Sequence, residues 1–138
     1  MIKDTLGVGS HQSRTVEIDR ERTISFLGEN LRIYATPHLI DDIERTCLDF
    51  LLDHVDAGEN SVGMAVDIAH TGATLLGMSV TIDVKVLHID GRAVRFEVSA
   101  FDGIEQVCSG THTRFVVNVG KLRTRVAEKT ARAGSWRA

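Results

Sequence analysis

The chain has 138 residues, is 43% hydrophobic and carries a formal net charge of −3. That length supports one domain, residues 1–138, with a core of its own. The mixed charge, without a basic face laced with aromatics, argues against nucleic acid as a partner. No apolar run approaches a membrane span, and Met1 to Thr5 lack the apolar stretch of a secretory leader. Cys47 and Cys108 make no disulfide framework, so a cytoplasmic protein with reduced thiols is expected.

Thr15 to Ile18 reads as a short first strand. Residues 23–35 are a mixed segment, broken at Gly28-Glu29-Asn30. Thr36-Pro37 then opens a helix. Threonine is a favoured N-cap and proline at the first helical position gives up no needed hydrogen bond, so capping is the first role expected of Thr36. At about 100° per residue, Ile40, Ile43, Cys47, Leu48, Leu51 and Val55 fall on one arc. Asp41, Asp42, Arg45, Asp49 and Asp53 fall on the other. The helix is expected to stop near Gly58.

Glu44 is the anomaly, since it lies in the middle of the apolar arc. Desolvation there favours the neutral acid unless a cation or a donor compensates. Such a carboxylate is either paired, with Arg114 as one available cation, or poised for chemistry.

After the helix the period changes to two. Val62, Met64, Val66, Ile68 and His70 share one strand face. Val80, Ile82, Val84 and Val86 alternate with polar residues in a second strand, and Val94, Phe96, Val98 and Ala100 in a third. Asp90-Gly91 and Asp102-Gly103 are hairpin turn pairs. A last strand is expected from about Ile104 to Val119, and the polar tail from Lys121 to Ala133 reads as a short helix, basic from about residue 121. The sum is an α+β domain, one long helix and an antiparallel meander. One helix covers only one sheet face, so the other face or an edge needs a partner, and a homodimer is expected.

His70 ends its strand in phase with Val66 and Ile68, beside the small residues Thr71-Gly72-Ala73-Thr74. Histidine suits general acid or base work near neutral pH. Thr36, at the helix start, sits among free N–H groups that suit developing negative charge. Thr36 and Glu44 are about 12 Å apart along the helix axis, so a water or a small acyl group fits between them. Cys47 lies one turn past Glu44, but a thiol in an apolar stripe is usually inert. The six histidines show no metal-binding spacing, and no metal is expected. His38, near the helix start, and His112, beside Gly110-Thr111, could border this group, but a solvated or structural role is the first expectation for both.

Thr36, Glu44, Ser61-x-Gly63-x-Ala65, His70-Thr71-x-Ala73-Thr74, Val98-Ser99-Ala100-x-Asp102-Gly103 and Ser109-Gly110-Thr111-His112-x-Arg114 resemble the fluoroacetyl-CoA thioesterase group of the hotdog-fold acyl-CoA thioesterases. The resemblance runs from the helix to Val119. It implies a long helix wrapped by an antiparallel sheet, a dimer with sites near the subunit interface, and hydrolysis of a short acyl thioester of coenzyme A. It implies no cofactor, coenzyme A being part of the substrate. It gives Thr36, Glu44 and His70 as the catalytic group, Gly63 a place in the acyl pocket, and Arg114 a place near the substrate. Before the helix the chain departs from the family, whose fluoroacetyl enzyme closes its pocket with a phenylalanine-bearing segment. Here that region offers Phe26, Leu27, Gly28, Glu29, Asn30, Leu31, Ile33 and Tyr34, which leaves fluoroacetyl selectivity open. Covalent acyl-enzyme and direct water attack both stay open. The competing readings are a module that binds an acyl-CoA or small acid without cleaving it, and a hydratase on the same scaffold.

Overall fold

The computed structural model describes residues 1–137, with side chains through Gly134. Five strands form one antiparallel sheet in the order β1-β3-β4-β5-β2. They are β1 (His11–Glu17), β2 (Glu59–His70), β3 (Ser79–Asp90), β4 (Ala93–Phe101) and β5 (Gln106–Asn118). Helix α1 (Thr36–Leu52) precedes β2, and α2 (Val119–Arg137) follows β5.

The alternation in β3 and β4 works as expected. Val80, Ile82, Val84 and Val86 meet Val94, Phe96, Val98 and Ala100 on one buried face, and Leu39, Ile43, Cys47 and Leu51 of α1 pack into the same core. Fully burying one leucine or isoleucine is worth about 1.5–3 kcal/mol, so this apolar stripe fastens α1 to the sheet. Gly91 (φ 60°) and Gly103 (φ 90°) follow Asp90 and Asp102 at the two hairpins. The Asp102 carboxylate accepts from the N–H groups of Ile104 and Glu105, both at 2.9 Å.

Several boundaries and faces differ from expectation. β1 starts at His11, because it pairs with β3 from His11↔Lys85 to Glu17↔Ser79. Helix α1 stops at Leu52; Val55 lies beyond it and is buried through a bridge to Ile2. The tail helix is longer than expected and starts at Val119. Ala35, not Thr36, is the N-cap of α1, and no side chain caps the helix. Pro37 therefore sits at the second helical position. The Thr36 hydroxyl is left free for another partner.

The buried arc of α1 is also rotated. Leu39, Asp42, Ile43, Thr46, Cys47 and Leu51 are buried, while Ile40, Glu44 and Leu48 form a half-buried margin. The buried carboxylate of α1 is Asp42, which the pattern had placed on the polar side. In β2 the register shifts between Gly63 and Ala65, leaving Met64 as a bulge. The bulge breaks the alternation expected from Val62 to His70. Gly63 pairs with Arg114, Val66 with His112 and His70 with Cys108 on the inner face, and Val62 is turned away from them.

Candidate active site

Thr36 is brought to His70 by the start of α1 meeting the end of β2. Its Oγ1 lies 2.7 Å from His70 Nδ1. Burial lowers the His70 pKa from its ordinary value, with the Gly72 backbone opposing. His70 Nε2 is buried and without a hydrogen-bond partner. The two residues border a pocket of about 410 Å³, lined also by Ile24, Phe26, Leu27 and Tyr34. This size and the mixture of apolar walls with a few polar groups suit a small ligand.

Glu44, Gly63 and Arg114 gather in a second place, farther along α1. A Cβ built on Gly63 would stand 2.5 Å from Glu44 Oε1, so the missing side chain makes room for the carboxylate. Arg114 is buried on β5. Its Nε donates to Ser61 Oγ at 2.7 Å, one terminal nitrogen to the Ser61 carbonyl at 2.9 Å, and the other lies 3.2 Å from His112 Nε2. Burial lowers the Arg114 pKa, and the nearby Glu44 charge opposes that shift. Glu44 and Arg114, with Asp41, Arg45 and Leu48, line a pocket of about 180 Å³. The structure thus gathers the expected residues in two places: Thr36 contacts His70, and Glu44 and Arg114 line one small pocket. No hydrogen bond joins the two places among the described residues.

A third group was not foreseen. The Tyr34 hydroxyl donates to Asp42 in a short hydrogen bond, and Arg22 grips the same carboxylate in a fork at 2.9 and 3.0 Å. Burial, then the Asp42 bond, raises the Tyr34 pKa, so the hydroxyl stays a donor. The Tyr34 ring meets the His70 ring edge-on, with centroids 6.1 Å apart. Asp42 therefore fixes a wall against which His70 rests. It also ties down the segment before α1, which closes on itself through the Thr23↔Tyr34 bridge and the Ile24 N–H to Ile33 carbonyl bond at 3.0 Å. Phe26, at its tip, is 78% exposed. A usable sequence signal existed: Asp42 stands three residues after Leu39 and four before Thr46, on one helical stripe.

The two cysteines resolve into packing. Burial pushes the Cys47 thiol up to about 12 and the Cys108 thiol up to about 11, so both stay protonated. His38 is exposed, whereas His112 is fully buried. Lys121 and Arg125 line a separate pocket with Arg92 and Asn118. Asn118 pairs with Glu59, at the opposite end of β2 from His70, about 35 Å away at roughly 3.3 Å per residue. Among the described residues no three His, Cys, Asp or Glu side chains converge as a metal site would.

Residues 18–120 match the fluoroacetyl-CoA-specific thioesterase family. The chain belongs to that family. It is 29% identical over 136 residues to the fluoroacetyl-CoA thioesterase of Streptantibioticus cattleyicolor, covering 94% of this chain and 98% of that one. A solved structure of a fluoroacetyl-CoA thioesterase superposes with a TM-score of 0.83 at 28% identity, covering 91% and 98% of the two chains. A hot-dog-like protein from Thermanaerovibrio acidaminovorans gives a TM-score of 0.82 at 24% identity over 88% and 91%, a likeness of fold. The sheet wrapped on α1 is a hotdog fold, as the resemblance implied, and membership of the family carries acyl-CoA thioester hydrolysis with it.

Proposed function

We propose that this single-domain protein hydrolyses a short-chain acyl thioester of coenzyme A, with Thr36, His70 and Glu44 as its catalytic group and Gly63 and Arg114 at the substrate. The observation that carries the proposal is the Thr36–His70 pair, 2.7 Å apart on the wall of a pocket of about 410 Å³ whose lining mixes apolar and polar groups. Thr36 holds that place because it does not cap α1.

Water adds across the thioester: the C–S bond breaks, the acyl carbon gains an oxygen, and a proton ends on the departing thiolate. His70 is suited to move that proton, because burial keeps its imidazole neutral and able to accept. Glu44 supplies the carboxylate, as nucleophile or as base for water, beside the fixed cation of Arg114. No cofactor is part of the proposal; coenzyme A arrives on the substrate. The flap carrying Phe26 and Leu27 sets the acyl selectivity, and fluoroacetyl-CoA, the substrate in the name of the Streptantibioticus relative, belongs in any panel.

The proposal includes a homodimer. Strand β2 is a sheet edge, and Val62, Met64 and Val66 on it are exposed. Pairing with a second copy would cover both the unpaired backbone and these exposed apolar side chains. A cytoplasmic location is supported by two free buried cysteines, and none of the described helices is long and apolar enough to cross a membrane.

The test is release of free thiol from a panel of acyl-CoAs, acetyl and fluoroacetyl included, with Glu44→Ala and His70→Ala alongside. Turnover that vanishes in both folded variants supports the mechanism. Full activity in Glu44→Ala removes Glu44 from it. Tight binding of acyl-CoA without thiol release favours a binding module.

A further inference from the structure

His112 lies between two groups that dictate its protonation. Its Nδ1 stands 2.8 Å from the Ala65 carbonyl oxygen, which can only accept, so Nδ1 carries the proton. Its Nε2 stands 3.2 Å from an Arg114 terminal nitrogen, which can only donate, so Nε2 is a bare lone pair. The two constraints are independent and name the same neutral tautomer. A proton on Nε2 would point at a guanidinium N–H inside a fully buried site.

The same bond completes the hold on Arg114. Ser61 takes Nε and one terminal nitrogen, and His112 takes the other. Three of five guanidinium N–H groups are thereby committed to β2 and β5, which leaves two. Arg114 lines the small pocket that Glu44 shares, so this is where its uncommitted face meets open space. Gly63, between Ser61 and the bulge, clears the carboxylate's side of that pocket.

We infer that His112 is a positioning residue: as the neutral Nδ1–H tautomer it fixes Arg114, with Ser61, so that the guanidinium faces Glu44 and the substrate in one orientation. The inference rests on the proposed role of Glu44. It assigns His112 no contact with the substrate and no proton transfer.

Two variants separate this from plain packing. Gln at 112 can place an acceptor oxygen where Nε2 stands. Asn is one methylene shorter and can keep the bond to Ala65 but not the acceptor for Arg114. His112→Asn is expected to lower kcat by about a hundredfold, the cost of a misplaced group of this kind, with KM changed much less. His112→Gln is expected to recover most of that loss. Nitrogen NMR of the wild-type protein at neutral pH should show His112 protonated at Nδ1 and bare at Nε2. Equal kcat in His112→Asn and wild type, or Asn and Gln equally impaired, overturns the inference. So does an imidazolium or an Nε2–H tautomer, a readout that stands even where the variants fail to fold. Glu44→Ala measured in parallel keeps the two ideas apart. Activity there removes the role of Glu44, whereas an inactive Glu44→Ala beside a fully active His112→Asn removes only that of His112.

Discussion

The Glu44 carboxylate occupies the space that a side chain at Gly63 would take. Helix and strand approach so closely there that position 63 admits only hydrogen without displacing the acid. Gly63→Ala is therefore expected to push Glu44 aside rather than to break the fold, since the obstructed atom is the end of a flexible side chain. Turnover should fall at least about tenfold, with a stability loss of about 1 kcal/mol. Thiol release and a thermal melt on the same sample check this. A variant with wild-type kcat would show that the position of Glu44 does not matter.

Thr36 can be tested apart from helix stability because it caps nothing. Thr36→Ala should change stability by about 0.5 kcal/mol or less, the usual scale for exposed sites, yet lower kcat on the order of a hundredfold. Thr36→Ser retains the hydroxyl facing His70 and should keep most of the activity. If serine and alanine behave alike, the hydroxyl is idle.

Asp42 is the structural carboxylate, and it should behave unlike Glu44. Asp42→Asn removes the charge that Arg22 and Tyr34 share, which should cost about 3 kcal/mol. The flap loses its anchor at the same time. Chymotrypsin should then cut faster at exposed Phe26, and KM should rise through loss of the pocket wall. An unchanged melting temperature and digestion rate would contradict the anchoring role.

Acid should destabilise the protein earlier than its carboxylates alone would dictate. His70 and His112 are both held below the ordinary histidine value of 6.5, chiefly by burial. The unfolded chain binds those protons more readily, so their contribution is present above pH 6.5 and is lost as pH falls below it. Melting temperatures measured from pH 8 to 5 should hold level and then decline below about 6.5. The decline should be shallower in His112→Gln. A flat curve down to pH 5 would contradict the buried neutral histidines.

Much of this was legible in the chain. The two-residue period of β3 and β4 is dictated by a sheet with one covered face, and Asp-Gly pairs mark its turns. Glu44 and His70 stood out because each is a polar residue in an apolar pattern, whereas Thr36 read first as an N-cap and joined them through the family resemblance. Asp42 was missed because helical phase alone cannot say where a buried arc ends, and an error of one position exchanges one carboxylate for its neighbour. The true phase is set by the Arg22 fork and the Tyr34 hydroxyl, which come from a segment without regular periodicity. The Gly63–Ala65 bulge was hidden too, since an extra residue in a strand leaves each residue type looking ordinary. Capping failed for a related reason. A threonine before proline fits the N-cap and the first helical position equally well, and His70, distant in sequence, makes the choice.

The flap before α1 is closed on itself, tied to Asp42 of α1 through Tyr34 and Arg22, and laid along residues 74–76 through the Ile33↔Leu75 bridge and the Tyr34 N–H to Thr74 carbonyl bond, while the Thr36–His70 pair belongs to α1 and β2. In the proposed mechanism, selectivity and chemistry are therefore written in different parts of the chain. The tip around Phe26 can be lengthened, shortened or repainted without moving the reacting pair, provided Tyr34 and Arg22 keep their mooring. A scaffold of this kind, with the proposed pair as its catalyst, lets one small acid be exchanged for another by changes confined to the flap.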